Sequence, residues 1–152
     1  MNTIRKIRNP FFKNMMAGVL LVSSVTATAA DIVVDKAWSR ALPPVSTVGA
    51  IYMTVRNTGA VERRLLKVYQ DIAQRAELHM HLLDAGMMRM REQASVVVPA
   101  GTETEFAPGK LHVMLFDLKE PLVLNKSYPI TLEFSDGERV SANVSVRADS
   151  PK

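Results

Sequence analysis

All three histidines of the chain, His79, His81 and His112, fall between positions 79 and 114, and five of its nine methionines fall there with them. Those five are Met80, Met87, Met88, Met90 and Met114, and the chain has no cysteine. Imidazole nitrogen and thioether sulfur without thiolate make a donor set for a soft monovalent metal, and copper(I) suits it better than zinc, iron or magnesium. Ten residues separate His79 from Met90, twenty-one separate Met90 from His112, and one separates His112 from Met114.

Short strands must carry these side chains. Apolar alternation broken by turn residues predicts strands over 31–40, 49–57, 64–71, 76–83, 87–91, 95–98, 103–107, 111–118, 128–134 and 139–147. Turn chemistry separates them at Asn57-Thr58-Gly59, Asp84-Ala85-Gly86, Pro99-Ala100-Gly101, Pro108-Gly109 and Ser135-Asp136-Gly137. No window keeps a helical period, so the expected fold is all-β, a single Greek-key sandwich or barrel.

Alternation pairs side chains by face. His112 and Met114 project together, as do His79 and His81, and Met88 and Met90. The register across the Asp84-Ala85-Gly86 hairpin stays open. A loop of two or four residues sets Met90 across from His81, on the face of His79; a loop of three sets it across from Met80.

Each residue also has a plainer reading. Met53, Met87 and Met88 read as flexible core filler, His81 as a hydrogen-bonded histidine, and Trp38 as a core anchor. Arg89 and Arg91 read as solvated charges. The metal reading rests on the group: no histidine lies elsewhere, and His112 and Met114 share a face.

Charge excludes other roles. Residues 1–30 hold Arg5, Lys6, Arg8 and Lys13 and no acid; removing these four from 19 basic residues leaves 15, equal to the 15 acids. A neutral domain gives no support to nucleic-acid binding. The basic start, the apolar run Met15–Val22 and the small residues Ala27-Thr28-Ala29-Ala30 predict a secretory signal over 1–30, cut after Ala29 or Ala30. The apolar run is shorter than the ~20 residues of a membrane span. These features predict a periplasmic domain over 31–147 with a short polar tail over 148–152.

On the residues His79-Met80, Met90 and His112-Val113-Met114 the chain resembles the periplasmic copper(I) chaperones called PCu(A)C, a domain formerly of unknown function. Further matches are Ala37-Trp38-Ser39-Arg40, Gly49-Ala50-Ile51-Tyr52-Met53, Asn57-Thr58-Gly59, Asp84-Ala85-Gly86, Pro99-Ala100-Gly101 and Leu115-Phe116-Asp117-Leu118-Lys119, so the resemblance spans about residues 31–147. It implies a cupredoxin-like fold and one exposed copper(I) per monomer, held by His79, Met90, His112 and Met114 with Met80 as an alternate thioether. It also implies delivery toward the binuclear copper centre of cytochrome c oxidase, with that subunit and a thiol-disulfide copper chaperone as partners. Some relatives end in a histidine- and methionine-rich extension that binds copper(II). This chain ends Arg147-Ala148-Asp149-Ser150-Pro151-Lys152, so a second, copper(II) site of that kind is not expected.

Rival functions fare worse. A blue-copper electron carrier needs a cysteine thiolate, and the chain has none. An enzyme would need acid–base groups at motif spacing that the chain lacks, so no catalytic activity is expected. A copper buffer without a dedicated recipient would use the same site, and an interaction module would leave the histidines and methionines incidental.

Overall fold

A computed structural model describes residues 31–149. The expected leader over 1–30 and the end of the tail lie outside the described residues. Ten strands form: β1 (Ile32–Arg40), β2 (Val48–Asn57), β3 (Arg63–Gln70), β4 (Ala73–Asp84), β5 (Met87–Glu92), β6 (Val96–Val98), β7 (Glu103–Phe106), β8 (Leu111–Leu118), β9 (Ser127–Phe134) and β10 (Arg139–Arg147). Each observed strand end lies within three residues of its predicted position. Among the described residues no helix is long and apolar enough to cross a membrane.

The strands join in the order β5-β4-β8-β7-β2-β1-β10-β9-β3-β6, and β8 also pairs with β2. Most neighbours run antiparallel, whereas β1 with β10 and β7 with β8 run parallel. The sheet coils so that β3 meets β4 and β6 meets β2 and β7 across the interior. Two layers result, with apolar alternation filling the space between them. In β2 the inward residues are Ile51, Met53 and Val55; in β9 they are Tyr128, Ile130, Leu132 and Phe134. Each fully buried aliphatic or aromatic side chain contributes about 1.5–3 kcal/mol.

Two features of this frame bear on the outer face of the front layer. Asn57, buried at the end of β2, donates from Nδ2 to the carbonyls of Val61 and Val98, and its Oδ1 accepts from the Gly59 amide. That clamp ties β2 to β6. In β1, Asp35 pairs with Thr54 and Trp38 with Tyr52, so Lys36 and Ala37 together oppose Met53. Lys36 takes the left-handed conformation this bulge needs (φ 51°).

The bulge corrects one expectation. Unbroken alternation from Ile32 and Val34 would turn Trp38 inward. The extra residue sends Ala37 into the core instead and turns Trp38 to the opposite face. Trp38 is buried there as expected, but it stacks on Tyr52 at 4.8 Å between ring centroids and lies apart from the main apolar cluster.

Candidate metal centre

The hairpin between β4 and β5 sets the geometry. Its loop holds two residues, Ala85 (φ 48°) and Gly86 (φ 79°), the left-handed pair that matches the twist of adjoining strands. The register that follows pairs His81 with Met90 and His79 with Glu92. On the other side of β4, His79 pairs with His112 and Glu77 with Met114. Directly opposed residues of antiparallel strands share a face. One outer face therefore carries Glu77, His79, His81, Met90, His112 and Met114.

Met80 is placed elsewhere. It pairs with Arg91 and Leu111, on the opposite face of β4 from the histidines. Arg89 and Arg91 lie on that opposite face too, where Asp84 draws both: Arg91 Nη2 donates to its Oδ2 at 3.0 Å, and Arg89 Nε stands at 3.7 Å. Met53 fills the core as expected, but Met87 and Met88 are exposed on the edge strand and fill nothing.

The three imidazoles cluster. Ring centroids are 6.0 Å apart for His79 and His112 and 5.2 Å for His81 and His112. Two imidazoles sharing one ion at roughly 2 Å per nitrogen have centroids about 5 to 6 Å apart, depending on the angle at the ion, so both pairs are spaced to share one. Tyr52 of β2 lies 6.4 Å from His112, and Phe116 of β8, opposite Arg75, lies 6.0 Å from His79. Under these rings His112 is only 3% exposed, although the alternation of β8 points it away from the core.

Hydrogen bonds assign a nitrogen to each task. His112 Nδ1 donates to the Lys110 carbonyl at 3.0 Å, leaving the Nε2 lone pair free. Burial, above all, pushes the His112 imidazole below its ordinary pKa; the bond to Lys110 opposes this, and His81 and His79 push it lower. The neutral, ligating form is thus favoured. Burial also raises the Tyr52 phenol, with Arg40 acting the other way.

Thioethers complete the donors. Met90 is 54% exposed on the edge strand β5, and Met114 is half-buried beside a groove of about 360 Å³ lined by Arg40, Leu42, Val48, Tyr52 and Pro108. Among the described residues no three histidine, cysteine or carboxylate groups are placed to hold an ion by themselves. The two thioethers on this face add soft donors to the imidazoles, a set that favours a soft metal.

Sequence reasoning missed Glu77. Its Oε2 sits 3.0 Å from His79 Nε2, and its Oε1 accepts from Arg75, whose guanidinium lies 4.7 Å over the Phe116 ring. The available signal was its position two residues before His79, on the same face of one strand.

The family model described as "Putative lipoprotein LpqE-like" matches residues 32–146. The chain belongs to the LpqE-like family. It is 33% identical over 120 residues to "Putative lipoprotein Lxx21020" of Leifsonia xyli subsp. xyli, covering 78% of this chain and 71% of that one. A second curated relative is covered over 65% of its length, just under two thirds. Among solved structures, the "Copper-bound PCuAC domain from PmoF2" superposes with a TM-score of 0.67 at 23% identity, over 80% of this chain and 97% of that domain. The copper(I) form of DR1885 from Deinococcus radiodurans superposes with a TM-score of 0.62 at 26% identity, over 82% and 84%. The fold of this LpqE-like chain is that of the PCuAC domains, as the motif resemblance implied.

Proposed function

We propose that this LpqE-like chain is a periplasmic copper(I) chaperone. It takes one cuprous ion per monomer at His79, Met90, His112 and Met114 and passes it toward the binuclear copper centre of cytochrome c oxidase. The observation that carries this reading is the shared outer face, which carries two imidazoles 6.0 Å apart and two thioethers from different strands. Structural neighbours described as copper-bound and as copper(I)-bound support it. Relatives described as lipoproteins support an extracytoplasmic site of action, with residues 1–30 as the export signal.

The chemistry suits a carrier. Four neutral ligands give affinity by soft coordination without a thiolate clamp, so an acceptor with thiolates wins the ion by exchanging ligands one at a time. Met90 and Met114 meet the acceptor first, being more exposed than His112.

The test is a titration of the copper(I)-loaded, isotope-labelled chain with the soluble copper domain of the oxidase in its reduced, metal-free form. Transfer shows as loss of copper-dependent shifts at His79 and His112 with matching gains in the acceptor. Copper(I) uptake without transfer would favour a buffer, and no uptake would reject both readings.

A further inference from the structure

We propose that Glu77 is a positioning residue that fixes the tautomer of His79, so that His79 presents Nδ1 to copper while His112 presents Nε2. This rests on the reading above, in which both histidines are ligands.

An ionised carboxylate only accepts hydrogen bonds. With Glu77 Oε2 at 3.0 Å from Nε2 of His79, the ring proton belongs on Nε2. The Nδ1 atom is then a bare lone pair, and it is buried with no hydrogen-bond partner. A buried acceptor without a partner is costly, and a cuprous ion satisfies it.

The carboxylate is itself held. Arg75 donates to the other oxygen, Oε1, and its guanidinium packs over Phe116, whose ring in turn lies 6.0 Å from His79. Arg75, Glu77 and His79 alternate along one face of β4, so a single strand supplies the whole chain of contacts. His112 is fixed by different means: its Nδ1 donates to the Lys110 carbonyl of its own strand entry, leaving Nε2 as the donor to metal. The two imidazoles thus reach a shared ion with opposite nitrogens. Loss of a carboxylate behind a ligating imidazole typically weakens metal binding 10- to 100-fold.

The experiment starts with the metal-free chain, labelled with ¹⁵N in histidine and read by long-range proton–nitrogen correlation. The expected spectrum has the proton of His79 on Nε2 and that of His112 on Nδ1. Glu77→Gln then inverts the first. Arg75 has only donors, so the glutamine carbonyl turns to Arg75 and its amide nitrogen faces His79 Nε2, which becomes an acceptor. The proton moves to Nδ1, and copper(I) affinity measured against a chromophoric chelator falls 10- to 100-fold. A wild-type spectrum with the His79 proton on Nδ1 overturns the proposal. So does a Glu77→Gln chain whose tautomer or affinity is unchanged. Failure of the metal-free chain to take up copper(I), with the tautomers as expected, would instead remove the copper reading and leave the assignment of protons standing.

Discussion

At the scale of single residues, the donor atoms were legible from spacing and the groups that aim them were not. Alternation alone placed His112 with Met114 and His79 with His81. It said nothing of the rings that bury His112, because those contacts cross between strands, or of the carboxylate behind His79, because alternation puts Glu77 on that face without showing which way its side chain turns. Met87 and Met88 were misread for the same reason: apolar character suggests burial, but only neighbours can provide it. Replacing Met90 or Met114 by leucine keeps volume and apolarity. Each variant should fold normally and lose at least ten-fold in copper(I) affinity, about 1.4 kcal/mol, in a competition titration. Equal affinity would remove that sulfur from the ligand set. A second residue-scale prediction concerns pH. His112 has a folded pKa below the ~6.5 of the unfolded chain. As pH falls below that value the unfolded state takes up a proton that the folded state resists, so stability is highest above pH ~6.5 and is lost as pH drops toward the folded pKa. Urea midpoints of the metal-free chain at pH 7.5 and 5.0 should differ more for the wild type than for His112→Gln.

At the scale of elements, three left-handed residues, Lys36, Ala85 and Gly86, carry what alternation could not. The tripeptide Asp84-Ala85-Gly86 offered two turn formers around an alanine, and loop length fixes which of Met80 and His81 opposes Met90. The pair Ala85 and Gly86 at positive φ makes it a two-residue loop, so Met90 falls on the histidine face. Lys36 does the corresponding work in β1, where the bulge hands Trp38 to the outer face and lets it back Tyr52. Bulges leave little trace in a pattern of apolar residues, since one inserted residue looks like one ordinary exposed lysine. Gly86→Ala isolates the hairpin effect. Space around Gly86 is open, so the added methyl costs through its backbone alone, about 1 kcal/mol at such a φ. Thermal denaturation should show that loss, and copper(I) affinity should fall with it as the Met90 register loosens. Destabilisation with full copper affinity would uncouple the turn from the site.

At the scale of the molecule, the proposed ligands belong to parts of very different stability. His112 and Met114 lie on β8, which pairs with β4 and β2 and sends Val113 and Leu115 into the core. Met90 lies on β5, an edge strand with one partner and six exposed residues. Local opening is easiest where few apolar contacts are buried and backbone bonds face water, so β5 should open far more readily than β8. A copper ion held by both strands would close that gap, because opening β5 would then require releasing a ligand. Ligand binding stabilises whichever state holds it, by an amount that grows with concentration over the dissociation constant. Amide exchange by mass spectrometry or NMR should therefore show fast exchange over Met87–Glu92 in the metal-free chain and marked slowing once copper(I) is loaded, with little change in β9 or β10. In Met90→Leu the remaining ligands still bind more weakly, yet β5 no longer contributes one, so its amides should stay fast even at saturating copper. Protection of β5 that survives the substitution would mean that copper orders the hairpin by some route other than the Met90 thioether.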